Sequence, residues 1–197
     1  MSPRSLARLL LAARALPLRP ALFQARAMLR AQRLGDDWAL ESSTRPADVA
    51  ELLRLARGRR TVVELGTATG WTAGALALAD PARRVTSYDP VVREYREDYL
   101  RLLPRPTRER LALVQAPGHE ARGEGVELLF VDSSHDCAAT VAEVRAWQPR
   151  LAPGGLVVLH DYGNPAYPGV ADAVADLGLD GRRHAGLWLW EAPATAA

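Results

Sequence analysis

Acidic and histidine side chains occur in two short groups, each placed directly after a run of apolar residues. One run precedes Asp132 and His135, and the other precedes His160 and Asp161. Carboxylate oxygens are ligands that hard divalent cations prefer, and an imidazole is a competent base at neutral pH. The two groups therefore indicate a site that orients and deprotonates a hydroxyl group, either around a metal ion or with a histidine alone.

A glycine-containing loop is the second chemical feature. The segment Val62–Thr72 begins with β-branched and apolar residues, carries Gly66 and Gly70 in its loop, and continues into an Ala- and Leu-rich helix. Backbone N–H groups at a helix N-terminus, with little side-chain bulk around them, suit a nucleotide-like cofactor. A dinucleotide loop of the G-x-G-x-x-G kind would need glycines where the chain has Ala68 and Trp71, so a nicotinamide cofactor is not expected.

Asp89 ends a further apolar run and follows Gly70 by 19 residues. A carboxylate at the end of a second strand can accept two hydrogen bonds from the vicinal hydroxyls of a ribose. Asp89 and Pro90 also fit the start of a following helix, since Asp is a strong N-cap and Pro suits the first turn. The two roles are compatible.

Alternating strands and helices must position these residues. The run at 126–131 is apolar apart from Glu127, which is typical of a parallel strand buried on both faces. The alternation predicts an α/β fold, a Rossmann-like, doubly wound and mostly parallel sheet with an antiparallel C-terminal strand. The carboxyl ends of such strands open onto one crevice. Strands are predicted at 61–65, 85–88, 111–114, 126–131, 156–159 and 187–190, helices at 71–79 and 91–103, and a turn at 151–155.

The motifs together resemble class I S-adenosylmethionine (SAM)-dependent methyltransferases, and within them the metal-dependent catechol O-methyltransferase type. The acidic residue, spacer and G-x-x-x-G at 64–70 are similar to the first motif of that family, and L-x-P-G-G at 151–155 before an apolar strand ending in His-Asp adds to the resemblance. The resemblance spans about 44–177. It implies SAM as the cofactor, and the cofactor-binding residues that it implies are Glu64, Gly66, Thr67, Gly70, Asp89, Gly118, His119 and Asp132.

Within this set the implied roles differ along the cofactor. Gly66 and Gly70 would lie against the methionine part of SAM, and Glu64 would anchor their loop and face the amino group through water. Gly118 and His119 would border the adenine by position, with a surface loop as the alternative.

The resemblance also implies a divalent metal, with Mg²⁺ as the candidate, held by Asp132 and Asp161. His135 stands where the family has a basic side chain that removes the acceptor's proton. A metal-free methyltransferase with a histidine base is one alternative. A non-catalytic, membrane-peripheral protein of the same fold is another.

The chain departs from the family pattern at Tyr162, where an amide ligand is expected. His160, Asn164 or water must then supply the third ligand. The loop after the fifth strand also carries Tyr167, and the two tyrosines either stack on a planar acceptor or pack against the protein. The acceptor is expected to be a small molecule with a hydroxyl group.

Charge divides the chain into two parts. Residues 1–35 carry seven arginines and no acid, whereas the remainder has 18 arginines and 23 acidic residues. We expect a basic, amphipathic helical extension at 1–40, with helices at 4–16 and from about Leu22 to Leu34, preceding a methyltransferase domain at 41–197. The extension would pack on the domain as a lid, contact a membrane surface weakly, or serve in targeting.

Composition narrows the remaining options. The sequence of the domain at 41–197 has no basic cluster accompanied by aromatic residues or by a helix that would contact bases, so nucleic-acid binding is not expected. Cys137 is the single cysteine, which excludes an internal disulfide and indicates a reducing, cytoplasmic compartment. The sequence does not determine the oligomeric state.

Overall fold

A computed structural model describes residues 15–194 of the chain. Its strands are β1 (Thr61–Leu65), β2 (Arg84–Tyr88), β3 (Leu111–Val114), β4 (Val126–Val131), β5 (Leu151–Leu159), β6 (Arg182–His184) and β7 (Leu187–Glu191). They form one sheet in the order β3-β2-β1-β4-β5-β7-β6. The first five strands pair in parallel, and β7 is antiparallel to both β5 and β6. The predicted doubly wound sheet with an antiparallel C-terminal strand is confirmed.

Helices cover both faces of this sheet. They are α1 (Leu18–Leu34), α2 (Asp37–Ser42), α3 (Pro46–Leu55), α4 (Trp71–Ala79), α5 (Arg96–Leu100), α6 (Arg105–Arg108), α7 (Cys137–Trp147) and α8 (Pro168–Leu177), with a 3₁₀ turn at Gln148–Arg150. None of the helices in the described range 15–194 is long and apolar enough to cross a membrane.

Two hydrophobic cores lie on opposite faces of the sheet because successive strand residues point in opposite directions. Val62 belongs to the core that includes residues of α3 and α4, whereas its neighbour Val63 belongs to the core that includes residues of α7 and α8. The central strands are therefore apolar at nearly every position, which is why their bounds could be predicted closely.

Two predicted elements differ from the structure. The helix expected at 91–103 is wrong: α5 begins only at Arg96, and Pro104 precedes the separate short helix α6. The Arg96 guanidinium donates to the carbonyls of Ala68 and Val91, so residues 90–95 fold back over the end of β2 instead of entering a helix. The turn expected at 151–155 is the first part of β5, where the pairing with β4 shifts register between Val126 and Leu128.

The described part of the N-terminal segment packs on the body of the protein through α1. Phe23 is buried and contacts Gly74 of α4 so closely that a β-carbon at Gly74 would lie 2.7 Å from its ring. Met28 is buried as expected, but Leu22 and Leu29, which share its predicted helical face, are exposed. The helix expected at 4–16 lies outside the described residues.

Candidate active site

A crevice of about 510 Å³ opens at the carboxyl ends of β1, β2 and β4, the position at which open α/β sheets bind their ligands. Its volume is in the range of small-molecule sites. The predicted site residues on its wall are Gly66, Thr67, Asp89, Gly118, His119, Asp132 and His135. A second cavity, of about 680 Å³, is lined by residues such as Arg54, Arg57 and Arg83 and includes none of the predicted site residues.

The glycine loop is fixed by contacts of its backbone. Gly66 has a φ of 100° and its N–H donates to the carbonyl of Tyr88 at 2.8 Å. A β-carbon on Gly66 would overlap the backbone oxygen of Asp132, so the loops after β1 and β4 touch directly. Gly70 starts α4 with a φ of 79° and faces Leu100, where a β-carbon would lie 2.9 Å from the side chain. Gly70 is not on the crevice wall, and a β-carbon on it would face Leu100, near α5; its contact with the cofactor stays a prediction.

Glu64 lies beneath the loop and not on the crevice wall. It accepts a hydrogen bond from Ser87, whose hydroxyl also lies 2.7 Å from that of Thr67. Complete burial raises the pKa of Glu64 to about 8, although the Ser87 hydrogen bond opposes this shift. This chain of three side chains joins the ends of β1 and β2 to the loop. The arrangement agrees with an anchoring role, and the contact with the cofactor's amino group through water stays a prediction.

Asp89 holds the loop and the segment after β2 together. Its two oxygens accept from the backbone N–H groups of Ala68 at 2.7 Å and Val91 at 2.8 Å. Arg96 lies 3.4 Å from the same carboxylate. Asp89 does not cap the following helix, because the first helix after β2 begins only at Arg96.

Gly118 and His119, which follow β3, form another part of the crevice wall. Gly118 packs so closely against Glu143 that a β-carbon would overlap the carboxylate, and its carbonyl accepts from Trp147 Nε1 at 2.7 Å. These contacts fix the position of the segment, which argues against a loose surface loop. Glu143, on the crevice wall, was not predicted as a site residue; burial raises its pKa, and it accepts from Ser133 at 2.6 Å.

Asp132, His135, His160 and Asp161 form one group, here called the Asp–His cluster. Their potential ligand atoms all lie within 4.8 Å of one another. His160 Nδ1 is 3.0 Å from a carboxylate oxygen of each aspartate, and His135 Nε2 is 3.3 Å from the same two oxygens. Carboxylate oxygens and imidazole nitrogens are common ligands of divalent metals, so the donor set fits such an ion. The sequence prediction that these strand ends converge is confirmed.

Opposite charges in the cluster stabilise one another. Burial lowers the pKa of His135, but its hydrogen bonds with Asp132 and Asp161 outweigh this and raise it to about 9. Burial also lowers the pKa of His160, but its hydrogen bonds with Asp132, Asp161 and Asp48 outweigh this and raise the pKa further than that of His135. The pKa values of Asp132 and Asp161 fall well below the ordinary range because the histidine hydrogen bonds outweigh burial.

Side chains around the cluster hold its members in place. Thr44 Oγ1 donates to Asp132 Oδ2 at 3.0 Å, and Asp48 Oδ2 lies 3.3 Å from His160 Nε2. Thr44 precedes α3, and Asp48 lies in its first turn. Sequence reasoning missed them because they precede the rest of the cluster by more than eighty residues and match no motif.

The loop after β5 contributes two further supports. Asn164 Nδ2 donates to Asp161 Oδ1 at 2.7 Å, so this amide orients an aspartate of the cluster. The ring of Tyr167 stacks on His135 with a centroid separation of 4.2 Å, which fixes the plane of the imidazole. Tyr167 thus packs against the protein, and its stacking on an acceptor stays a prediction.

Comparisons with known proteins agree with this geometry. A family model described as a methyltransferase domain matches residues 63–162, about half of the chain, from β1 to just past β5. The chain therefore belongs to this methyltransferase family, and it is a SAM-dependent enzyme of the class I fold. No curated protein sequence matches the chain.

Solved structures share the fold at low sequence identity. A TDP-rhamnose 3′-O-methyltransferase of calicheamicin biosynthesis is 19% identical, with a TM-score of 0.61 over 97% of this chain and 95% of that one. A protein from Staphylococcus aureus proposed to be a caffeoyl-CoA O-methyltransferase is 13% identical, with a TM-score of 0.62 over 81% of this chain and 91% of that one. The N-methyltransferase NodS from Bradyrhizobium japonicum is 18% identical, with a TM-score of 0.52 over 74% of this chain and 94% of that one.

Proposed function

We propose that the protein transfers the methyl group of SAM to a hydroxyl group of a small-molecule acceptor. The structural neighbours include O- and N-methyltransferases, so the fold alone does not choose the acceptor atom. The observation that carries the proposal is the Asp–His cluster beside the crevice. A hydroxyl group must lose its proton to become a strong nucleophile, and the cluster brings a base and ligands for a cation to one point.

In this proposal SAM occupies the crevice with its ribose at Asp89 and its adenine at Gly118 and His119. The backbone of the loop at Gly66 and Thr67 faces the methionine part. SAM already carries a good leaving group, so the protein contributes mainly by aligning the acceptor oxygen with the methyl group. We assign this work to a catalytic domain at 41–197, with the acceptor entering beside the Asp–His cluster.

A divalent cation held by Asp132 and Asp161 would supply positive charge that lowers the pKa of an acceptor hydroxyl and of the neighbouring imidazole. Mg²⁺ is the cation that the family resemblance implies. His135 accepts the hydroxyl proton at Nε2, and Tyr167 holds the imidazole plane during the transfer. Asn164 keeps Asp161 oriented. A metal-free enzyme that uses His135 or His160 as its base is the alternative mechanism.

The experiment measures SAM binding and methyl transfer separately. Calorimetry with SAM and its demethylated product tests the cofactor, and binding of NAD instead would contradict the proposal. Methyl transfer from labelled SAM to catechol, other phenols and a deoxysugar nucleotide, with and without EDTA, tests the reaction. We expect EDTA and Asp161→Asn to remove activity while SAM still binds. Full activity in EDTA would contradict the metal but leave the methyl transfer standing.

His135 is tested in the same assay. His135→Ala should lower turnover by about 10²- to 10⁴-fold with SAM still bound, the usual size of a general-base contribution. His184→Ala is the matched control, because His184 pairs with Glu51 at 2.8 Å, away from the crevice. Equal turnover in the two variants would exclude His135 as the base.

Weak contact with an anionic membrane surface is a second, independent proposal. Leu18, Leu22 and Leu29 are exposed on one face of α1, and arginines lie beside them. Vesicle flotation of the intact protein against Leu18→Gln/Leu22→Gln tests it, and equal flotation would contradict it. We also propose a cytoplasmic location, because a chain with a single cysteine has no internal disulfide that would need an oxidising compartment.

A further inference from the structure

We propose that His160 binds the metal of this site through Nδ1, and that Asp48 of α3 is the positioning residue that holds His160 in the required tautomer. The inference rests on the proposed function and extends it to the identity of the metal. A site with an imidazole ligand of this kind would prefer Mn²⁺, Co²⁺ or Zn²⁺ over Mg²⁺.

His160 Nδ1 is placed as a metal ligand would be. It lies 3.0 Å from Asp132 Oδ1 and 3.0 Å from Asp161 Oδ2, so it faces the space between the two carboxylates. Ligands that bind one ion at about 2.1 Å and at right angles to one another lie about 3.0 Å apart. Both distances from Nδ1 therefore match the spacing of neighbouring ligands on one ion, and the two oxygens lie within 4.8 Å of each other.

The other ring nitrogen of His160 has a carboxylate partner. Asp48 Oδ2 lies 3.3 Å from His160 Nε2, and both side chains are at least nine-tenths buried. A carboxylate at this position accepts the proton of Nε2, which leaves the lone pair of Nδ1 for the metal. Arg45 Nε donates to Asp48 at 2.8 Å and keeps the carboxylate in place. Asp48, His160 and the metal position thus form the carboxylate–imidazole–metal arrangement seen at many metal sites.

The nitrogen donor of His160 also bears on which divalent ion the site binds. Mg²⁺ is bound mainly by oxygen ligands and keeps several waters, whereas imidazole suits transition metals and zinc. The His160 side chain is 8% exposed, so replacing it with water as a ligand would break its buried contact with Asp48. A fixed nitrogen donor beside two carboxylates therefore favours Mn²⁺, Co²⁺ or Zn²⁺ over Mg²⁺.

The experiment loads the full-length protein with Mn²⁺ and records pulsed EPR, which detects nitrogen bound to the ion. We expect a ¹⁴N signal that is lost in His160→Gln and kept in His135→Ala. A wild type without the signal overturns the inference, and so does a signal that is lost in His135→Ala but kept in His160→Gln. Near-ultraviolet circular dichroism verifies that each variant is folded.

The role of Asp48 and the preference among metals are measured by calorimetry. Asp48→Asn should lower Mn²⁺ affinity by about 10- to 100-fold, the range found when such a carboxylate is lost. Glu51→Gln is the matched control, a carboxylate on the same helix that pairs with Arg54 and His184 and does not face the cluster. Equal affinities in the two variants, or Mg²⁺ binding as tight as Mn²⁺ binding, would overturn the inference.

Failure of this inference and failure of the proposed function are distinguishable. If no divalent ion binds but SAM binds and methyl transfer proceeds in EDTA, the metal inference is overturned and the methyltransferase activity stands. If Mn²⁺ binds with the expected ¹⁴N signal but no SAM binds, the proposed reaction is overturned and the metal site stands.

Discussion

The α-carbon of Gly66 faces the backbone oxygen of Asp132, and the space between them is too small for a side chain. Gly66 follows β1 and Asp132 follows β4, two neighbouring parallel strands. The loop that we assign to SAM and the first aspartate of the Asp–His cluster therefore share a wall. A change at Gly66 should reach both parts of the site.

Gly66→Ala should destabilise the fold and weaken SAM binding together. The new β-carbon would push Asp132 away and would also require a left-handed backbone at φ 100°. Gly58→Ala is the control, because Gly58 has a φ of 78° and nothing within 4 Å. In urea titrations the control should lose about 1–2 kcal/mol of unfolding free energy, which is the cost of the left-handed backbone alone. Gly66→Ala should lose clearly more. Equal losses would mean that the contact with Asp132 is easily relieved.

Asp89→Asn should weaken SAM binding by about 1.5–3 kcal/mol, measured by calorimetry, since a hydrogen bond to a charged group has this strength. Asp80→Asn is a matched control: Asp80 accepts from the backbone N–H of Ala82 at 2.8 Å, just as Asp89 accepts from that of Val91 at 2.8 Å. The control is expected to leave SAM affinity unchanged. A loss below about 0.5 kcal/mol in Asp89→Asn would limit Asp89 to holding the loop.

Glu64→Gln should make the stability of the SAM-free protein less dependent on pH. The folded pKa of Glu64 is raised to about 8, from an ordinary value of 4.5. Between these values the unfolded chain releases the proton and the folded protein keeps it, so stability falls as pH rises, by up to about 1.4 kcal/mol per pH unit from this group. Below both values and above both values the group contributes no slope.

Urea titrations of both proteins at pH 5.5 and pH 8.5 measure this difference. Glutamine keeps the acceptor for Ser87, and the histidines of the cluster are common to both proteins, so their contributions cancel. A wild type and variant with parallel pH dependences would show that Glu64 is ionised in the folded protein at neutral pH.

Phe23→Ala tests how firmly α1 belongs to the body of the protein. Phe23 is 3% exposed and packs on Gly74, so truncation should cost about 3–5 kcal/mol of unfolding free energy. Leu22→Ala is the control on the same helix, since Leu22 is 55% exposed, and it should cost less than about 1 kcal/mol. A small loss in Phe23→Ala would show that the packing of α1 contributes little to the stability of the domain.

The sequence by itself determined the central strands and the residues that end them. Val62 to Leu65 and Val126 to Val131 are apolar at nearly every position because both faces of the sheet are covered, and this pattern is local. Once the strands are known, the topology of a parallel sheet brings Asp89, Asp132 and Asp161 to one edge. The site could therefore be outlined from spacing and residue type.

Only the tertiary structure decided which groups touch each other. Gly70 faces Leu100 because α5 packs near the start of α4, and Glu64 lies beneath the loop because Ser87 of β2 donates to it there. Asp48 reaches His160 from 112 residues earlier in the chain. No local pattern encodes such a pair, since the contact exists only when α3 docks beside the end of β5, and burial of both side chains then makes it strong.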